Sequence, residues 1–287
     1  MKPVIEILKA AIFIVVLFTS SSYGQVLDIP RASPKATVSQ LIGVCKVEVD
    51  YGRPSVHGRK ILGDLVPYGK VWRAGANEAT VVSFNYNISI ANKKIPAGKY
   101  ALFMIPEKDK WVVIFNSEWN QWGAYHYNNN KDVLRVDIIP KKNAHVEICT
   151  YDFNEVSKTK GVLNVSWENF SIGIPIETDT HFQTELEIKK VIRASDKNWY
   201  NYSAAAQYYF YERKDAITSL EYIDQAIALD APNPSPWMLK SQILASQEKY
   251  PVAISLAEEA IKVSKEHNFT FEIRENEENI EKWKKLL

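Results

Sequence analysis

One change of rhythm limits what this chain can fold into. Over residues 38–176 apolar side chains recur at every second position. Val82, Phe84, Tyr86, Ile88 and Ile90 share one face, and Ser83, Asn85, Asn87 and Ser89 share the other. That alternation predicts half-buried antiparallel strands. Similar short runs cover 45–51, 100–105, 111–116, 133–139, 146–153, 161–167 and 170–176, with turn residues at 91–93, 107–109, 141–143 and 157–161 between them. About eight mainly antiparallel strands with no helical pattern between them predict an all-β sandwich or barrel. The run 111–115 is apolar on both faces and predicts a strand covered on both sides.

From about residue 182 the period becomes helical. Helical spacing covers 182–197, 204–211, 216–229, 236–247, 251–263 and 271–287, with a proline-rich break at 230–236. These helices repeat with a period of 34 residues: Leu220 corresponds to Ile254, Ala226 to Ala260, Ile227 to Ile261, Tyr209 to Ile243 and Phe210 to Leu244. Trp237, Leu244, Tyr250, Ala253 and Ala260 fall where a tetratricopeptide unit alternates large and small residues. In the first unit Ser203 and Ser219 depart from that pattern. The expected organisation is a signal peptide over 1–24, a β-domain over 25–180 and an all-α tetratricopeptide-like domain over 181–287.

The signal peptide is expected from Lys2 and Lys9, the apolar run Ala10 to Phe18, and the small residues Ser22 and Gly24 around Tyr23. The apolar run is about nine residues against the roughly 20 that span a bilayer. No other segment is apolar enough to span, so a periplasmic or secreted protein is expected. Cleavage removes Lys2, Lys9 and Glu6, a net loss of one positive charge that takes the formal charge from +1 to 0. A neutral chain has no global field for nucleic acid or an anionic membrane. Cys45 and Cys149 both lie in expected strands, and spacing alone leaves a disulfide and two buried thiols open. Five Asn-x-Ser/Thr triplets, at Asn87, Asn164, Asn169, Asn201 and Asn268, are read as chance matches.

The densest polar segment runs from Arg53 to Thr80. Arg53, Arg59 and Arg73 offer permanently charged planar forks suited to carboxylate or phosphate. Gly75 and Ala76, just before Asn77 and Glu78, let backbone approach a ligand closely. Tyr68 and Trp72 supply flat amphipathic surfaces, as do Trp119, Trp122 and Tyr125 further on. The candidate binding residues are therefore Arg53, Arg59, Tyr68, Trp72, Arg73, Asn77, Glu78 and Trp122. The competing reading makes the segment a brace, with its arginines paired to Glu78, Asp64 or Asp132. No catalytic residue is assigned. Glu78 with Asp64 or Asp132 would make an acid/base pair if the two stood close enough. His57, His126, His145, His181 and His267 lack metal-ligand spacing, and no phosphate-cradling or nucleophile-elbow motif occurs, so no metal and no cofactor is expected.

These residues also form an ordered pattern. It includes Ser33-Pro34, Val49-Asp50-Tyr51, Arg53-Pro54-Ser55, Gly58-Arg59-Lys60-Ile61, Val66-Pro67-Tyr68-Gly69, Trp72-Arg73 and Gly75-Ala76-Asn77-Glu78. It continues through Pro96-Ala97-Gly98, Tyr100, Leu102-Phe103, Ile105-Pro106, Trp122-Gly123, Tyr127, Asp132 and Arg135. The pattern resembles the bacterial domain-of-unknown-function family 2911 over about residues 30–180. The resemblance implies an exported protein of the kind found widely in Bacteroidetes, often with a helical C-terminal extension, and brings no agreed activity. Ala74 stands where the family commonly has Thr, so that position supplies no obligatory nucleophile here. Three functions follow as expectations. The first is a β-domain that binds a small polar or anionic ligand, with helices that contact a protein partner. The second is a cell-envelope hydrolase using Glu78, and the third a pure interaction scaffold.

Overall fold

The computed structural model describes residues 29–229 and 231–287. The expected signal peptide lies outside the described residues. Ten strands form two antiparallel sheets. The six-stranded sheet holds β1 (Lys35–Ile42), β2 (Cys45–Gly52), β3 (Thr80–Phe84), β6 (Gly98–Pro106), β7 (Trp111–Asn116) and β8 (Asp132–Ile138), in the order β1-β2-β3-β6-β7-β8. The four-stranded sheet holds β4 (Ile88–Ile90), β5 (Lys93–Ile95), β9 (Lys141–Asn154) and β10 (Lys160–Thr178), in the order β5-β4-β10-β9. The inward residues of both sheets, among them Val47, Val49, Val82, Leu102, Trp111, Leu163, Val165, Trp167, Ile172 and Ile174, merge into one core. The domain is thus a sandwich rather than a barrel.

The strands differ from the sequence expectation in three places. The alternation across 82–90 is not one strand: β3 and β4 belong to different sheets. Val82, Phe84, Ile88 and Ile90 are all buried, so the period survives while the chain changes sheet. The break falls at Asn85 and Asn87, whose side chains accept hydrogen bonds from the backbone N–H groups of Lys46 and Ala97. Asn side chains commonly replace strand partners in this way. The two strands expected over 161–167 and 170–176 are one strand, β10, with register irregularities around Glu168, which takes φ 50°. The turn expected at 141–143 is instead the start of β9.

Among the described residues six helices follow: α1 (Thr180–Ala194), α2 (Trp199–Gln207), α3 (Ala216–Ala228), α4 (Ser235–Ser246), α5 (Tyr250–His267) and α6 (Thr270–Lys284). A π-helical turn, Tyr208–Glu212, extends α2. Asp179, Asn198 and Asp215 cap the starts of α1, α2 and α3 by accepting backbone N–H groups. Ala206, Ile223, Ala226, Leu239 and Ile243 form one core, and Leu244, Ala245, Ala253, Ala257, Ile280 and Trp283 the next. The repeat-related Ala226 and Ala260 are both fully buried, which lets neighbouring helices approach closely. Helix α1 docks on the sheet-switching segment: Gln183 Nε2 donates to the Asn87 carbonyl at 2.9 Å, and Tyr86 Oη donates to Glu187 at 2.7 Å.

The segment between β2 and β3 closes one end of the sandwich. It first pairs along the edge strand β9: Cys149 N–H donates to the Pro54 carbonyl, and Val56 N–H to the Glu147 carbonyl. It then crosses to the other sheet, where Trp72 and Met104 exchange backbone hydrogen bonds on β6. One connection therefore covers an exposed sheet edge and ties the two sheets together.

Candidate functional site

The end-closing segment crosses the exit of β2 at very short range. A Cβ on Gly52 would lie 2.3 Å from the Ala76 carbonyl oxygen, and one on Gly75 would lie 3.0 Å from the Gly52 carbonyl oxygen. Only glycine permits that contact at Gly52. Just before it, Ala74 takes a left-handed φ of 54° and is fully buried. Its carbonyl accepts from Tyr151 Oη at 2.8 Å and Thr80 Oγ1 at 2.9 Å, which holds the unusual conformation. Asn77 is also left-handed, at φ 63°, and its Nδ2 donates to the Ser33 carbonyl. This turn directs successive residues to different places: Asn77 lines one cavity and Glu78 another.

The first cavity, of about 480 Å³, is walled by the end-closing segment and by the loop that carries Ala124 and Tyr125. Arg59, Lys70 and Arg73 line it, and among the described residues no Asp or Glu does. Its core side holds Trp72 and Trp167, stacked with ring centroids 5.9 Å apart and planes 18° apart. Trp72 is thus a core ring rather than a surface platform, and its Nε1 donates to the Gly75 carbonyl. Two buried donors in these walls, Arg73 Nε and Trp167 Nε1, have no hydrogen-bond partner among the described residues. Buried donors without acceptors are costly and rare. Gly123, at φ +64°, makes room for Arg73: a Cβ there would stand 3.0 Å from Arg73 Nη1.

The arginines do not brace the segment through carboxylates. Among the described residues none of Arg53, Arg59 and Arg73 forms an ion pair. Arg53 donates to the Cys149 carbonyl and to Thr150 Oγ1, and Arg59 to the Ser55 and Val56 carbonyls. These contacts fix the side chains while leaving their charge unneutralised. Glu78 is held instead by Arg31 Nη1, at 2.7 and 2.9 Å to its two oxygens. Burial pushes the Glu78 carboxyl up, but the Arg31 hydrogen bond and the nearby positive charges outweigh it, leaving the group below its ordinary value. Asp132 accepts from Asn116, Tyr127 and Arg135, and neither Asp64 nor Asp132 lines the Glu78 cavity.

That second cavity, of about 310 Å³, lies where Glu78 forms a backbone bridge with Trp122. Asp50, Glu78, Lys35 and Lys99 line it beside Trp119, Asn120, Gln121 and Trp122. Tyr68 lines neither cavity and is half exposed against Gly63. Arg59, Trp72, Arg73 and Asn77 therefore meet in one place, Glu78 and Trp122 in another, and Arg53 braces β9. Sequence reasoning missed Lys70 and Trp167 in the first cavity and Lys99 and Gln121 in the second. Trp167 continues the inward alternation of Leu163 and Val165, so its period marked it only as core.

Among the described residues no three His, Cys, Asp or Glu side chains gather as a metal site requires. Cys45 and Cys149 are both buried free thiols, and burial pushes Cys149 up to about 12 despite the nearby Arg53 charge. No described helix is long and apolar enough to cross a membrane.

A two-sheet antiparallel β-sandwich with a cation-lined cavity at one end, followed by a helical region, is the class these features define. The chain belongs to the family described as "Protein of unknown function (DUF2911)", whose model matches residues 33–176. The match spans β1 to β9 and most of β10, and includes both cavities' central residues. No curated protein and no solved structure matches the chain.

Proposed function

We propose that the β-domain binds a small organic anion in the cavity lined by Arg59, Lys70, Arg73 and Asn77. The carrying observation is that, among the described residues, three cations and no carboxylate line the cavity and two buried donors in its walls, Arg73 Nε and Trp167 Nε1, have no partner. The three cations compensate an anion's charge without displacing an internal ion pair, and a small side-chain shift on binding would bring the buried donors the acceptors they lack. The apolar lining from Leu65, Val66, Val71 and Ala124 favours an anion with an apolar body over a bare inorganic one. The helices, whose period resembles tetratricopeptide units, would contact a protein partner, and the chain would act in the periplasm or outside the cell after signal-peptide removal. A hydrolytic role for Glu78 draws no support from the geometry, because Arg31 holds both its oxygens.

Isothermal titration of the full chain with benzoate and with inorganic phosphate tests this. Benzoate should bind more tightly than phosphate, and Arg73→Ala should weaken it by about ten- to a hundredfold. Absence of binding by both anions, or equal affinity in Arg73→Ala, contradicts the proposal.

A further inference from the structure

The second cavity presents the opposite chemistry to the first. Its charged groups are of both signs: Lys35 and Lys99 stand with Asp50 and with Glu78, which Arg31 already pairs, whereas the first cavity is lined by cations. Its partnerless buried atom is an acceptor. Gln121 Nε2 donates to the Glu118 carbonyl, while Gln121 Oε1 is buried with no donor among the described residues. An anion, which only accepts, leaves that oxygen unsatisfied. A cationic ligand supplies a donor but meets Lys35 and Lys99, and Lys99 already sits 5.2 Å from the Trp119 ring centroid. Trp119 and Trp122 are nonetheless 40% and 52% exposed, a large aromatic area to leave in water. The partner that answers the open acceptor and the exposed rings together is a neutral one that offers hydroxyl or amide donors as well as acceptors and carries a flat apolar face.

We propose that the cavity lined by Trp119, Gln121, Trp122 and Glu78 is a carbohydrate subsite that takes a neutral sugar ring. A pyranose ring meets each requirement: its C–H face lies on an indole, and its hydroxyls donate to Gln121, Glu78 and Asp50 and accept from Lys35 and Asn120. The volume of about 310 Å³ suits one or two rings rather than a long chain. Arg31 fixes the acceptor geometry. It clamps Glu78 while lying 6.0 Å from the Trp122 ring centroid, so the carboxylate and the ring are held by one guanidinium. This site is independent of the anion cavity and stands or falls without it.

The test follows tryptophan fluorescence and titration heat of the full chain with cellotetraose and chitotetraose, and with trialanine as a peptide probe. The expected result is saturable millimolar or tighter binding of at least one sugar, and none of trialanine. Trp122→Ala and Trp119→Ala should each weaken sugar binding by about tenfold or more. Both side chains are substantially exposed, and circular dichroism of each variant checks that it folds. Tyr200→Ala, which removes an exposed aromatic ring on α2, should leave sugar binding unchanged. Three results overturn the proposal: no response to either sugar, trialanine binding in their place, or sugar affinity retained in both Trp variants.

Discussion

The two cavities flank one turn, and consecutive residues, Asn77 and Glu78, divide between them. Among the described residues the charged groups of the Arg73 cavity are all cations, and its buried atoms without a partner are donors. The Glu78 cavity has charges of both signs, and its buried atom without a partner among the described residues is an acceptor. The contrast shows that a dense polar segment need not make one site. A backbone that reverses direction through left-handed Ala74 and Asn77 deals its side chains to two surfaces. What each surface can hold then follows from which hydrogen-bonding role the protein leaves open.

The largest expected effect removes both sites at once. Gly52 lines the Glu78 cavity and touches Ala76 of the Arg73 cavity. Gly52→Ala would set a methyl group against a backbone oxygen that cannot move alone, so it should cost about 3 kcal/mol or more in chemical denaturation. The surviving folded fraction should lose benzoate and sugar binding together. Loss of one without the other would show that the crossing does not shape both cavities.

The smallest effect separates the cavities by pH. The Glu78 carboxyl lies below its ordinary value when folded, so its contribution is present above the unfolded glutamate range and fades as pH falls through the folded value. Glu78 is about half exposed, so the loss of stability is minor. Acidification should nonetheless free Arg31 from Glu78 and change the environment of Trp122. Benzenesulfonate, which stays ionised across the acid range, should keep its affinity for the Arg73 cavity through the Glu78 titration, because among the described residues no carboxylate lines that cavity. A fluorescence titration compared with benzenesulfonate affinity over the same acid range checks this. A shared midpoint would join the two sites.

Much of the fold was legible from period alone. The inward residues Val82, Phe84, Ile88 and Ile90 are buried as their alternation requires. Period could not reveal that Asn85 and Asn87 carry the chain from one sheet to the other, because side-chain capping leaves the alternation intact. The same limit governed the site. Residue type identified Arg59, Arg73 and Asn77 as polar groups in one segment, and they do share a cavity. Glu78 followed them in sequence but not in space. The bracing expectation paired the arginines with Glu78, Asp64 or Asp132. The structure gives Glu78 to Arg31, from the segment before β1, and Asp132 to Arg135, a pairing that needs the folded register. Trp167 was invisible as a site residue because a core tryptophan and a cavity-wall tryptophan obey the same alternation.

The central claim is that Arg73 is kept for a ligand and not for bracing. The most direct measurement is the denaturation midpoint of the parent chain and of Arg73→Met, each with and without benzoate. Arg73 Nε has no partner to lose, and Met keeps much of the apolar stem. Without benzoate the variant should be as stable as the parent or more so, and benzoate should raise the midpoint of the parent alone. A variant that loses stability without benzoate, or a benzoate shift that is equal in both chains, would contradict the account.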